Sequence, residues 1–166
     1  MKLVIGLGNP GEKYANSRHN VGHVVIDKLL KTQKLKNSKQ VKIFKSQNFM
    51  NDSGNFVREL TIRYPLSDND LYVIHDDLDL PLGTWKIQFA KGPKDHGGIN
   101  DIEQKLGTEN FWRIRVGIDN RKPESLDCAR DRASWGEEYV LQDFSEDEKK
   151  ILKEVINEIC KKLARL

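Results

Sequence analysis

Short apolar runs alternate along the chain with stretches in which apolar residues recur every three or four positions. The first pattern is typical of buried strands, and the second is typical of helices that pack on one side. From the runs we predict these strands: Leu3–Ile5, Val41–Phe44, Leu71–Ile74, Trp85–Phe89 and Trp112–Ile118. From the recurring positions we predict these helices: about Asn20–Leu35, Phe56–Ile62, Ile99–Leu106 and Ser145–Leu163.

The alternation of strands and helices predicts the fold class. It indicates an α/β fold in which residues 1–166 form a single three-layer domain, with a mixed, mostly parallel central sheet flanked by helices. Within it, we expect the acidic stretch His75–Asp79 to be a turn and the strand Trp112–Ile118 to be half-buried, because its apolar residues alternate with polar ones. The polar residues 119–136 are predicted to be flexible.

Two local signals fix helix ends. Gly107 is a predicted C-cap, and Ser145 with Glu148 has the spacing of a capping box at the start of the last helix. That helix carries one apolar stripe: Ile151, Leu152, Val155, Ile156, Ile159 and Leu163.

The loop after the first strand imitates a dinucleotide-binding motif. Gly6-Leu7-Gly8-Asn9-Pro10-Gly11 matches G-x-G-x-x-G letter for letter. That fingerprint needs a helix that begins within the glycines and an acidic residue at the end of the next strand. Here the loop continues to Ser17, and Asp27 lies inside the predicted helix, so we reject NAD binding and expect no cofactor.

Composition restricts the cellular setting. The 166 residues are 37% hydrophobic and 32% charged, and no apolar run approaches the roughly 20 residues that span a bilayer. The start of the chain reads as a strand and is too short for a signal peptide. The two cysteines, Cys128 and Cys160, have no metal or redox spacing. We therefore expect a cytoplasmic protein that does not enter a membrane.

Positive charge is concentrated in one part of the chain. The net charge is only +3, but residues 28–51 contain no acid and the following lysines: Lys28, Lys31, Lys34, Lys36, Lys39, Lys42 and Lys45. The run is either a solvated lysine face or a surface that follows phosphates. Charge alone leaves both interpretations open.

His19 and Asp76 are the candidate catalytic pair. His19 begins a predicted helix, whose dipole disfavours protonation and would keep the imidazole able to accept a proton. Asp76 ends a buried strand at the edge where ligands of α/β sheets tend to bind, so it could orient that imidazole. Alternatively, His19 caps the helix or lies at the surface.

Two metal sites are weaker alternatives. His19 and His23 are one helical turn apart but lack a third ligand in the sequence pattern, and we interpret His23 as structural. Asp76, Asp77 and Asp79 could together bind Mg²⁺ in a phosphoesterase, although an acidic turn is the simpler interpretation.

Three asparagines suggest how a substrate is held. Asn9, Asn20 and Asn51 each follow the end of a predicted element, and their side chains can donate to a carbonyl or accept from an amide or a hydroxyl. Each could instead cap a turn. The chain has no G-x-S-x-G elbow and no plausible cysteine nucleophile, so water activated by His19 is the favoured nucleophile.

The motifs together resemble bacterial peptidyl-tRNA hydrolase. The resemblance rests on these segments, in order: Gly6–Gly11 with Tyr14, Arg18–Gly22, Phe49–Gly54, His75–Gly83, Arg113–Ile118, and Tyr139–Leu141 with Phe144. It covers most of the chain. It implies a metal-independent hydrolysis of the ester between a peptide and the 3′ ribose of tRNA, by a monomer whose substrate is peptidyl-tRNA.

The resemblance also implies residue roles. His19 would activate water, and Asp76 would orient the His19 imidazole. The substrate would be bound by the following residues: Asn9, Tyr14, Asn20, Asn51 and His96. The tRNA would be bound by Arg115, Lys91 and Lys94.

Two positions depart from the family pattern. Gly97 replaces an asparagine that contacts the substrate, and Gln88 replaces a basic residue near the tRNA. We therefore expect activity that is retained but weakened. The alternative is an RNA-binding protein of the same fold with weakened catalysis.

Overall fold

Five strands form one central sheet. The computed structural model describes residues 1–32, 38–64, 66–121 and 136–166. The strands are β1 (Lys2–Gly6), β2 (Val41–Lys45), β3 (Leu71–Pro81), β4 (Trp85–Phe89) and β5 (Trp112–Asp119). Their order is β2-β1-β3-β5-β4, and only β4 is antiparallel to its neighbour. The prediction of a mixed, mostly parallel sheet is confirmed.

Helices cover both faces of this sheet. They are α1 (Val21–Leu30), α2 (Ser53–Arg63), α3 (Gly97–Leu106) and α4 (Glu146–Leu163). One apolar cluster contains buried residues of α1 and α4, among them Val25 and Ile159, while a second contains residues of α2 and α3, among them Val57 and Ile102. Two cores on opposite faces of one sheet confirm the three-layer α/β class.

The start of α1 lies directly on the carboxyl end of β1 and on β3 at Ile74. A Cβ atom at Gly22 would lie 2.5 Å from the Leu7 carbonyl oxygen and 2.6 Å from the Ile74 carbonyl oxygen. Only glycine permits this approach, because any side chain would collide with backbone. The close contact brings His19, three residues earlier, to the edge of the sheet.

The acidic stretch after Ile74 is a strand, so the predicted turn at His75–Asp79 is wrong. β3 continues to Pro81 and pairs with β5 along most of its length, with an irregularity between Asp77 and Pro81. The sequence pattern did not indicate this part of the strand, because its side chains are mostly polar. Its backbone nevertheless pairs with β5. The half-buried interpretation of β5 is also wrong, since Arg113 and Arg115 are buried.

The observed helix ends agree with the predictions in part. α1 ends at Leu30, earlier than predicted, and residues 33–37 lie outside the described ranges. Gly107 is the left-handed C-cap of α3, and the capping box at Ser145 is confirmed. Ile62 and Ile151 are 71% and 47% exposed and do not belong to the core.

The predicted flexible segment falls mostly on residues 122–135, which lie outside the described ranges together with Cys128. The described residues resume at 136 with a short helical segment, 136–141. In the part of the chain that the structure describes, no helix combines the length and the apolar composition that a membrane crossing requires.

Candidate active site

Two histidines share one buried carboxylate at the carboxyl edge of the sheet. His19 lies in a one-turn 3₁₀ helix (Arg18–Asn20) just before α1, and Asp76 lies in β3. His19 Nδ1 is 2.9 Å from both Asp76 oxygens, and His96 Nε2 is 2.9 Å from Asp76 Oδ1. The structure therefore brings the predicted pair into contact and adds a second imidazole to it.

The charge of Asp76 controls the protonation of His19. Burial alone would raise the pKa of Asp76, but the two imidazoles lower it well below its usual range. Burial lowers the pKa of His19, but the charge of Asp76 and the hydrogen bond to it outweigh that effect, so the pKa is raised above 6.5. The expectation that the helix dipole keeps His19 neutral omitted this stronger interaction. With Nδ1–H donated to Asp76, Nε2 is the ring nitrogen that can accept a proton.

Both ring nitrogens of His96 are already used. Nδ1 accepts a hydrogen bond of 3.3 Å from the Ile99 backbone and so caps α3, and Nε2 donates to Asp76. The side chain is 4% exposed. His96 can therefore bind a substrate through a hydrogen bond only if it gives up one of these contacts.

A third histidine, His75, contacts both Asp76 and His96, and it was not predicted from the sequence. His75 is fully buried, and its Nδ1 donates to the Asp76 carbonyl oxygen at 2.7 Å. Burial and the nearby His96 lower its pKa to about 3, so the ring stays neutral. It packs edge-on against His96, with ring centroids 4.9 Å apart. Its position next to Asp76 was the only signal in the sequence.

The asparagines have different tasks. The side chain of Asn20 is 2.8 Å from both the amide nitrogen and the carbonyl oxygen of Asn9, so it clamps the Asn9 backbone. Asn9 Oδ1 accepts a 2.7 Å hydrogen bond from the Met50 amide. The Asn9 side-chain nitrogen makes no hydrogen bond within the described residues. It is the group of this pair that remains available to a substrate.

Asn51 and Tyr14 contact residues that adjoin His96 and Met50, respectively. Asn51 is exposed and lies over Gly97, where an added Cβ atom would collide with Asn51 Oδ1. The Tyr14 ring packs edge-on against Phe49, with centroids 6.4 Å apart, and Phe49 is 59% exposed. Phe49 was not among the predicted site residues, although it directly precedes Met50 and Asn51.

The predicted tRNA-binding residues form an uneven group. Arg115 is 8% exposed, and its Nε and Nη1 atoms donate to Asp77 Oδ2 at 2.6 Å and to Gln88 Oε1 at 2.7 Å. Lys91 and Lys94 are exposed and flank Gly92, whose Cα faces the Arg115 guanidinium so closely that a Cβ atom would collide with it. The two lysines are the accessible cations here.

The described part of the chain contains one potential metal-ligating grouping, which differs from the two that were considered from the sequence. Among the described residues, His19, Asp76 and His96 bring their donor atoms within 4.8 Å of one another and could hold an ion. The other two groupings do not form there. His23 contacts Ser46 Oγ at 3.1 Å and has a pKa lowered to about 4, mainly by burial, and Asp77 pairs with Arg115 instead of converging with Asp76 and Asp79.

This fold and site define the class: an α/β protein with a histidine–aspartate pair of the kind used in hydrolases, together with the asparagine side chains described above. Comparison with known proteins gives the family. The peptidyl-tRNA hydrolase family model matches residues 3–166, and the chain belongs to the peptidyl-tRNA hydrolase family.

Relatives and solved structures agree with this assignment. A peptidyl-tRNA hydrolase of Desulfitobacterium hafniense is 37% identical over 171 residues, which cover 95% of this chain and 88% of that protein. One of Aquifex aeolicus is 37% identical over 180 residues, covering 99% and 89%. The crystal structure of the Acinetobacter baumannii enzyme has a TM-score of 0.80 at 26% identity, covering 98% of this chain and 86% of that one.

Proposed function

We propose that this protein hydrolyses the ester that joins a peptide to the 3′ ribose of tRNA, with His19 as the general base. The single observation that carries the mechanism is the contact of His19 Nδ1 with Asp76, 2.9 Å from both carboxylate oxygens. An imidazole held by a carboxylate on one nitrogen presents a basic lone pair on the other. Membership of the peptidyl-tRNA hydrolase family supports the choice of substrate.

The reaction balances with these groups alone. His19 Nε2 takes a proton from water as the water oxygen bonds to the ester carbonyl carbon. The negative charge then develops on the carbonyl oxygen. Cleavage of the bond to the ribose oxygen releases the peptide as a carboxylic acid, which then loses the remaining water-derived proton to solvent as the carboxylate forms, and the imidazolium returns its own proton to that ribose oxygen. Asp76 stabilises the imidazolium between these steps.

Amide donors would hold the acyl group and the developing oxyanion. Among the described residues of the site, the Asn9 side-chain nitrogen and the Asn51 side-chain amide are two available donors, and such donors act best when they are already oriented. Since the Asn20 side chain is occupied by the Asn9 backbone, we assign it to the orientation of Asn9. We assign Tyr14, which packs against Phe49, to contacts with the substrate.

The tRNA would lie against Lys91 and Lys94, with Arg115 buried beneath Gly92 between them. We propose that residues 1–166 act as one domain and as a monomer in the cytoplasm, without a cofactor. Binding that depends on lysine–phosphate contacts weakens steeply as salt rises, because counterions are released. An affinity for tRNA that is flat between low and moderate salt would contradict this surface.

The decisive experiment compares release of peptide from peptidyl-tRNA by wild type, His19→Ala and His23→Gln. We expect His19→Ala to lower kcat by about 10²- to 10⁴-fold, the usual contribution of general base catalysis. His23→Gln is the matched control, because this histidine lies one helical turn away and, among the described residues, its side chain is hydrogen-bonded to Ser46 and not to Asp76. Equal rates for wild type and His19→Ala would contradict the mechanism.

The second candidate function is RNA binding with weakened catalysis, favoured by Gly97 and Gln88. Two substitutions test it together. Gly97→Ala introduces only the Cβ atom that collides with Asn51 Oδ1, whereas Gly97→Asn also supplies an amide. Faster hydrolysis by Gly97→Asn than by wild type and Gly97→Ala would show that the missing amide limits catalysis. An unchanged rate and KM in Gly97→Asn would remove that explanation.

A further inference from the structure

Arg18, the residue directly before His19, is buried in an ion pair with the last helix. Its Nη2 atom lies 2.8 Å from Glu148 Oε2 and 3.1 Å from Glu148 Oε1, and its Nη1 atom donates to the Asp143 carbonyl oxygen at 3.1 Å. The side chains of Arg18 and Glu148 are only 8% and 7% exposed. The two residues are 130 positions apart in the sequence.

Aromatic rings and backbone hydrogen bonds reinforce this pair. The Arg18 guanidinium lies 4.1 Å from the centroid of the Tyr139 ring and 5.5 Å from that of Phe144. The Arg18 amide donates to the Gln142 carbonyl oxygen at 3.0 Å, and the Phe144 amide donates to the Asn16 carbonyl oxygen at 3.2 Å. The segment 139–148 therefore holds the approach to His19 through backbone and side chain together.

Glu148 is itself fixed by several donors. It belongs to the capping box of α4, where Oε2 accepts from the Ser145 amide at 2.8 Å. Oε1 accepts from the Asn120 side chain at 3.2 Å. Because both oxygens are used, the carboxylate offers Arg18 one defined position.

We propose that Arg18 and Glu148 are positioning residues that hold the turn Arg18–Asn20 so that His19 stays opposite Asp76. Two of the turn's attachments lie on either side of His19: Gly22 packs on the end of β1 and on β3 at Ile74, and the ion pair fixes Arg18 on α4. Together they restrict where the His19 ring lies.

The energetics of buried ion pairs favour a positional role over a stabilising one. Replacing such a pair by apolar residues is often neutral for stability, because the cost of removing two charges from water offsets their attraction. In contrast, a displacement of about 1 Å in a catalytic group can lower a rate on the order of 10²-fold. The proposal rests on His19 as the base of the proposed function.

The test uses Glu148→Gln, Arg18→Met and the double variant. The control is Glu146→Gln, which breaks an exposed ion pair with Lys149 in the same first turn of α4. We expect each single variant to lower kcat by about tenfold or more with KM unchanged. The double variant should be no slower than the slower single variant, because the residues act as one unit. Glu146→Gln should match wild type.

A second measurement separates positioning from stability. The pKa of His19, followed by NMR of its imidazole, should fall in Glu148→Gln, because a ring that moves away from Asp76 keeps the effect of burial and loses the opposing charge. A lower melting temperature with wild-type kcat and an unchanged pKa of His19 would overturn the proposal, as would a raised KM with unchanged kcat.

One further variant and one comparison of outcomes keep the result interpretable. If Arg18→Met does not fold, Ser145→Ala perturbs the same link more gently, because it removes the hydroxyl that accepts from the Glu148 backbone amide and leaves both charges of the ion pair in place. Failure of the proposed function would appear as full activity in His19→Ala. Failure of this proposal would appear as an inactive His19→Ala together with a fully active Glu148→Gln.

Discussion

Asp76 and Asp77 are neighbours in β3, and each is 1% exposed, yet they have opposite surroundings. Asp76 faces two imidazoles, and Asp77 faces the Arg115 guanidinium. Successive side chains of a strand point to opposite faces, so one residue of register separates the two environments.

The difference lies in the partner. An imidazole can lose and regain a proton near neutral pH, whereas a guanidinium stays charged. The carboxylate of Asp76 can therefore support proton transfer, while that of Asp77 can only balance a fixed charge and orient it towards Gln88. Burial alone distinguishes neither residue. The identity of the partner assigns the chemistry.

The largest expected effect is on catalysis. Asp76→Asn should lower kcat by about 10²- to 10⁴-fold, because the amide can hold His19 in the wrong tautomer and cannot stabilise its charged form. Asp77→Asn should keep kcat within a few-fold of wild type per folded molecule. Single-turnover hydrolysis of peptidyl-tRNA by both purified variants measures this contrast, and similar losses in the two would break it.

Stability should show the reverse order. Asp77→Asn leaves Arg115 buried without its counter-charge, and breaking a buried pair from one side costs about 3–5 kcal/mol of unfolding free energy. Asp76→Asn should cost less, because its histidine partners can become neutral. Urea unfolding of both variants at pH 7 provides the free energies. A more stable Asp77→Asn than Asp76→Asn would show that the Arg115 pair is not structural.

The second donor on Asp76 should have a smaller influence. His96→Gln removes the imidazole that shares Oδ1 with His19, and we expect kcat to fall by about tenfold, the loss expected from one hydrogen bond to a charged group. The pKa of His19 should rise further, because Asp76 then interacts with one imidazole only. NMR titration of the His19 ring measures it; a fall in this pKa would contradict the shared-carboxylate arrangement.

The smallest effect is a shift in the pH profile. A general base must be deprotonated, so kcat/KM of wild type should decline on the acid side with a midpoint above 6.5, because Asp76 raises the pKa of His19. In Asp76→Asn, burial acts without that charge, and the midpoint of the residual activity should move below 6.5. Asp77→Asn should leave the midpoint where it is in wild type.

Much of the fold followed from short-range patterns. The apolar run at β1 and the capping box at Ser145 depend on residues within a few positions of one another, so the sequence alone predicted them correctly. The resemblance to the family came from several short motifs taken together and in order, chiefly Gly6–Gly22, Phe49–Gly54 and His75–Gly83. Strand β3 was cut short in the prediction because its polar half looks like a turn until β5 pairs with it.

The candidate site divides in the same way. Sequence alone determined that an imidazole at position 19, a carboxylate at position 76 and amides near the strand ends were available for hydrolysis. Only the tertiary structure decided that Asp76 serves two histidines, that Arg115 is occupied by Asp77, and that Glu148 holds Arg18. These pairings join residues 20, 38 and 130 positions apart. Which residues pair depends on strand order and register. These features decide which of several side chains of the same type come into contact.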